Sequence, residues 1–122
     1  MTNRRILIAD DDQQISEAAG VRLRTAGYVP CTVRNGADAV ATARRDHPDA
    51  IVLDVRMPIM DGLAALRELK SDPSTNDIPV VMLSASVIDE EAALDGGARY
   101  FIRKPFAGRA LVEAVDAAMK GS

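Results

Sequence analysis

The sequence predicts an α/β domain in which one parallel sheet carries helices on both faces. Three observations support this. Five short apolar runs recur along the chain, each too short for a buried helix and each closed by turn or polar residues. Between them lie stretches whose apolar residues repeat at helical spacing, with connections short enough for right-handed crossovers. The chain is 48% hydrophobic but only 3% aromatic, and a core of Ala, Val, Leu and Ile suits helices packed on a parallel sheet better than an antiparallel sandwich.

Residues 4–9 form the first predicted strand, carrying Ile6, Leu7, Ile8 and Ala9, and it runs into Asp10-Asp11-Asp12. A helix follows over 13–26, with Ile15, Ala18, Ala19, Leu23 and Ala26 on one face. Asp12 is its N-cap and Gly27 its left-handed stop. Residues 28–34 read as a second strand, placed at the sheet edge by Pro30. Asn35-Gly36 turns the chain into a helix over 37–46, which His47-Pro48-Asp49 ends. Ala50-Ile51-Val52-Leu53 is a strand buried on both faces, and Asp54 stands where it stops.

Pro58 holds Met57 extended, and Asp61 caps a helix over 62–70 with a buried stripe of Leu63, Leu66 and Leu69. A polar loop over 71–77 leads to a strand over 79–83, closed by Ser84-Ala85-Ser86. A short helix over 88–95 stops at Gly96-Gly97. The last strand, 99–102, precedes Arg103-Lys104-Pro105, and a helix over 107–120 buries Leu111, Ala114, Val115 and Ala118. Ala107-Gly108 offers that helix no Ser or Asp cap.

One domain spanning residues 1–122 follows from the length of 122 residues. The net charge of −3 makes the whole a poor nucleic-acid binder. The single cysteine, Cys31, excludes an intrachain disulfide and a zinc cluster and is expected to fill a small core position. His47, before Pro48 at a helix end, reads as a solvated residue. The opening residues are too few and too polar for a signal peptide or membrane span, so a cytoplasmic location is expected. The closing Met119-Lys120-Gly121-Ser122 carries no linker signature, which favours a stand-alone regulator over a fragment.

Ligands bind at the carboxyl ends of the strands in parallel α/β sheets. There the sequence places Asp10, Asp11 and Asp12 after the first strand, Asp54 after the third, Ser84 after the fourth and Lys104 after the fifth. Clustered carboxylates repel unless a cation intervenes, and Mg²⁺ takes one to three of them plus water. A lysine and a hydroxyl beside such an ion supply what an incoming phosphoryl group needs. A carboxylate that accepts it becomes an acyl phosphate.

These residues carry a family resemblance. Ile6-Leu7-Ile8-Ala9-Asp10-Asp11, Leu53-Asp54-Val55-Arg56-Met57-Pro58-Ile59-Met60-Asp61-Gly62, Leu83-Ser84-Ala85 and Arg103-Lys104-Pro105-Phe106 resemble, in the same order, the receiver domain of two-component response regulators. That is the family of the chemotaxis regulator CheY. The resemblance implies a doubly wound, flavodoxin-like sheet with strand order 2-1-3-4-5 and five helices. It implies Asp54 as phosphoacceptor, with Ser84 and Lys104 on the phosphoryl oxygens. Mg²⁺ would be held by Asp10, Asp11, Asp54 and the Arg56 backbone carbonyl. A cis Lys104-Pro105 bond is implied too, and Phe101 as the aromatic switch that turns inward when Ser84 moves.

The implied partners are a sensor histidine kinase or a histidine phosphotransfer protein, then a downstream protein target, with no direct nucleic-acid or membrane contact. The chain would supply the chemistry of its own phosphorylation and dephosphorylation without being a turnover enzyme.

The sequence departs from the family in four places. Arg56 sits at a variable position, with its guanidinium in reach of either the acidic pocket or an attacking water, and is expected to change the lifetime of the phosphoaspartate. Ser84 stands for the commoner threonine, and Phe101 lacks the hydroxyl of the commoner tyrosine. The stretch from Ser84 to Lys104 is about two residues short for the family, so either its helix should be short or the loop before it tight. Two other classes share parts of the pattern. A Mg²⁺-dependent phosphohydrolase also attacks with Asp, but wants a carboxylate where Arg56 stands. A nucleotide or flavin domain wants a Gly- or Ser-rich first loop, where this chain has three aspartates.

Overall fold

A computed structural model describes residues 4–120. The leading residues, read above as no leader, and the last two of the closing tetrapeptide lie outside the described residues. The chain alternates β1 (Arg5–Ala9), α1 (Gln13–Thr25), β2 (Val29–Val33), α2 (Gly36–Asp46), β3 (Ala50–Asp54), α3 (Gly62–Ser71), β4 (Val80–Ser84), α4 (Ile88–Asp95), β5 (Tyr100–Arg103) and α5 (Gly108–Lys120). All strand pairs are parallel, and the sheet order is β2-β1-β3-β4-β5.

Side chains alternate across each strand, so one sheet makes two cores. Leu7, Ile51, Leu53, Val80 and Met82 pack on one side with Ala39, Ala43, Ala65, Leu66 and Leu69 of α2 and α3. Ile6, Ile8, Val52, Val81 and Leu83 pack on the other with Ala19, Leu23, Leu111 and Val115 of α1 and α5. β3 and β4 are buried at every residue, and each fully buried Leu or Ile there contributes roughly 2 kcal/mol. That double burial is why these strands read as unbroken apolar runs.

Local chemistry ends the helices where expected. The Asp12 carboxylate accepts from the amides of Gln14 and Ile15, Asp61 accepts from Ala64, and Asn35 from Asp38. Each such cap is worth about 1 kcal/mol. Gly27 has φ 97° just past α1, and His47 caps α2 with φ 45°. α4 is short, eight residues.

Several expectations need correction. Cys31 is exposed, not core: β2 is an edge strand, and its burial is partial throughout. The buried face of α1 is Ser16, Ala19, Gly20 and Leu23; Ala18 and Ala26 are exposed and Ile15 is half-buried. The buried face is centred on Leu23, which is fully buried, and Gly20 and Ser16 lie one and two turns before it. Leu63 and Ala114 are half-buried, while Ala65 and Met119 are inside. β4 and β5 each lie one residue later than predicted, because strand ends are set by their partners: Asp54 pairs Leu83, and Ser84 pairs Arg103.

Candidate functional site

The register aligns the strand ends at one edge. The Asp10 amide donates to Val33 O, the Val55 amide to Leu83 O, and the Lys104 amide to Ser84 O at 2.9 Å. Three loops therefore leave the sheet side by side, carrying Asp10, Asp54 and Lys104. Because α1 lies on one face and α2 and α3 on the other, the chain diverges between β1 and β3. A crevice opens there, at the topological switch point.

In that crevice Asp10, Asp11 and Asp54 each present a carboxylate oxygen within 4.8 Å of the others. Asp10 and Asp54 are almost fully buried, 1% and 4% exposed, while Asp11 faces solvent. Lys104 Nζ reaches in from the β5–α5 loop, 2.9 Å from Asp54 Oδ1 and 3.2 Å from Asp10 Oδ2. Its side chain is only 16% exposed, and the Lys104–Pro105 bond is cis. Asp10 Oδ1 accepts from the Asp12 amide at 2.9 Å, which aims its other oxygen at the lysine.

Electrostatics follow from this crowding. Burial pushes the Asp54 carboxyl up to about 6; the hydrogen bond from Lys104 pulls down, and the neighbouring Asp10 and Asp11 push up. Burial works against the Lys104 ammonium, yet its hydrogen bond and attraction to Asp54, with Asp10 behind, hold it above its ordinary value. One ammonium thus faces three carboxylates, leaving an unbalanced negative charge. The three oxygens, all within 4.8 Å of one another, are close enough for one small cation to meet them together. A hard dication fits both the charge and the all-oxygen donor set.

The sequence-predicted residues divide into those brought together and those held apart. Asp10, Asp11, Asp54 and Lys104 share the crevice. Ser84, 1% exposed, sits beside it, but its hydroxyl donates to Asp89 Oδ2 at 2.6 Å. Of the two destinations expected for Arg56, the guanidinium is not in the acidic pocket: its Nη2 contacts both oxygens of Asp89 at 3.2 Å. Asp89 was overlooked. Its position in an acidic first turn, Asp89-Glu90-Glu91, gave it the signature of a solvated helix start. Phe101 is half-buried and packs on the core side that holds α2 and α3. His47, exposed, contacts Asp77 at 3.2 Å, away from the crevice.

The family model described as "Response regulator receiver domain" matches residues 6–116. The chain belongs to the response regulator receiver family. Among curated relatives, this receiver is 38% identical over 122 residues to the transcriptional regulatory protein PrrA of Mycobacterium tuberculosis, covering 98% of the chain and 52% of the relative. The chain thus spans about half the length of the curated relatives it matches. Among solved structures, the receiver domain of sensor histidine kinase PA1611 from Pseudomonas aeruginosa, with a magnesium ion coordinated in its active-site cleft, superposes with a TM-score of 0.90. Identity is 30%, and 99% of this receiver and 100% of that chain are covered. The chemotaxis response regulator CheY4 of Vibrio cholerae gives a TM-score of 0.89 at 26% identity, covering 96% and 99%. No helix among the described residues is long and apolar enough to cross a membrane.

Proposed function

We propose that this receiver accepts a phosphoryl group on Asp54 from the phosphohistidine of a kinase or phosphotransfer protein, with Mg²⁺ bound, and changes a protein-binding surface. The observation that carries the reading is the buried Asp54 carboxylate, bonded to Lys104 at 2.9 Å beside two further aspartates. With a pKa of about 6, Asp54 is mostly ionised at neutral pH and is a competent nucleophile. A carboxylate oxygen forms a bond to phosphorus as the P–N bond to the histidine breaks; the electron pair goes to that ring nitrogen, and a proton already on the other ring nitrogen makes the departing imidazole neutral.

Asp10, Asp11, Asp54 and the Arg56 carbonyl would hold Mg²⁺, which supplies charge neutralisation at the phosphoryl oxygens. Lys104 is already paired inside the pocket, so it can turn to a phosphoryl oxygen without paying for a new desolvation. An apolar cleft of about 340 Å³ beside it, lined by Ile15, Ala18, Ala85, Pro105 and Phe106, suits the helix that presents the donor histidine. Arg56, pointed at Asp89, offers no acid or base for phosphohydrolase turnover on outside substrates.

The receiver match over residues 6–116 supports reading the chain as one receiver unit. That its PrrA relative is about twice as long favours a second reading, in which this unit regulates a longer transcription factor. Incubation with Mg²⁺ and acetyl phosphate tests the central reading. Intact mass should show one phosphoryl group on the wild type and none on Asp54→Ala. Labelling that persists in Asp54→Ala, or a wild type that a histidine kinase leaves unmodified, overturns it.

A further inference from the structure

α4 is weakly held. It has eight residues, Val87 gives it no side-chain cap, and its first amides reach back only at 3.3 Å, Asp89 to Ser86 O and Glu90 to Val87 O. Its only buried residues are Asp89 and Ala93. Ala93 offers one methyl group, so the anchor of the first turn is the Asp89 side chain, 5% exposed although Ile88 beside it is 81% exposed. That carboxylate accepts the Ser84 hydroxyl at 2.6 Å and meets Arg56 Nη2 on both oxygens at 3.2 Å. The Arg56 side chain is itself 72% exposed, so most of the fixed geometry comes from Ser84.

A serine hydroxyl has one proton to donate. While it is given to Asp89, Ser84 cannot donate to a phosphoryl oxygen on Asp54. The two hydrogen bonds exclude each other, and whichever forms decides whether α4 is tied to the sheet. We propose that Asp89 is a positioning residue for the switch: it holds Ser84 and Arg56 in the unphosphorylated arrangement and releases the first turn of α4 when the Ser84 hydroxyl turns its hydrogen bond to the phosphoryl group. This rests on the reading of Asp54 as phosphoacceptor. The consequence is local. Losing Ser84 leaves a buried carboxylate matched only by a solvated guanidinium, so Asp89 moves toward water and carries Val87 and Ile88, both exposed and apolar, with it.

Hydrogen exchange of the amides at residues 86–92 tests this, with intact mass after acetyl phosphate and Mg²⁺ treatment run on the same samples. In the wild type these amides should exchange about tenfold faster after phosphorylation, the change expected for one hydrogen bond to a charged acceptor. In Asp89→Ala they should be fast in both states, so the phosphorylation-dependent difference disappears. Asp89→Asn keeps an acceptor for Ser84 and should restore part of the difference, which a purely structural role does not explain. Amides of β3 and β4, protected alike in every variant, show that the fold is intact. A phosphorylated wild type with unchanged exchange at 86–92, or an Asp89→Ala protein that still responds, overturns the latch alone. A wild type that gains no phosphoryl group overturns the latch together with the reading of Asp54.

Discussion

Gly62 provides the sharpest test of how the fold positions Asp54. It opens α3 directly behind Asp54, and its amide donates to Val55 O at 2.8 Å. A Cβ on residue 62 would lie 2.0 Å from the Asp54 carbonyl oxygen, 2.8 Å from its carbonyl carbon and 2.9 Å from Val55 Cα. Real Cβ contacts stay beyond 3.0 Å, so the backbone must open by at least 1 Å. All three obstacles are backbone atoms of buried residues at and just past the end of β3, and none can rotate away. Overpacking of this kind costs about 1–3 kcal/mol, and loss of the Gly62–Val55 hydrogen bond about 1 more. Gly62→Ala should therefore lose roughly 3 kcal/mol, a fall in Tm on the order of 10 °C for a domain of this size. Displacing Asp54 by 1 Å should also slow phosphorylation by acetyl phosphate by about 10²-fold. Gly20→Ala is the control. It sits inside α1 with only Pro30 Cγ at 4.0 Å from the added methyl, and should gain about 0.5–1 kcal/mol. Thermal denaturation and single-turnover phosphorylation of both variants check the pair. If Gly62→Ala melts and reacts like wild type, the close approach behind Asp54 does not exist.

Three further outcomes follow from the same geometry. The Asp54 carboxyl is raised from 3.8 to about 6, so the fold prefers it neutral; its cost is absent below pH 4, grows between pH 4 and 6, and is full above that. In metal-free buffer Asp54→Asn should then match wild type at pH 4 and exceed it by about 3 kcal/mol at pH 8 in urea titrations; a pH-independent gap defeats this account. Ile59 is β-branched, 84% exposed and held at φ 70°, so Ile59→Gly should raise stability by roughly 1 kcal/mol, and a lowered Tm would count against strain there. Thr75, fully buried, donates to Leu69 O at 2.7 Å; Thr75→Val should lose about 1–2 kcal/mol, and an unchanged urea midpoint would show that water substitutes for the hydroxyl.

The elements were legible because each obeys a local rule. β3 and β4 are short apolar runs, α1 starts at an aspartate that does cap it, and Gly27 does turn left-handed. The misreadings fall where burial depends on neighbours. Cys31 looked like core because its strand is apolar, yet an edge strand has one side uncovered. The face of α1 was misplaced because apolar spacing alone does not fix the helix's rotation on the sheet: Ser16 and Gly20 are buried with Leu23, while Ile15 is half-buried and Ala18 exposed. Asp10, Asp11, Asp54 and Lys104 could be gathered from sequence because each follows a strand, and parallel strands deliver their ends to one edge. Asp89 and the path of Arg56 could not, since a helix start and a loop meet there without any sequence spacing that links them.

The order of apolar runs, caps and strand-ending charges is a property of the chain itself, because periodicity and capping act over a few residues. What the sequence left open is where hydroxyl protons and guanidinium groups go. Ser84 has one proton and Arg56 a long flexible stem, so their partners are chosen by distances of a few ångströms between α4 and the β3–α3 loop. Only the packing of those two segments against the sheet sets such distances.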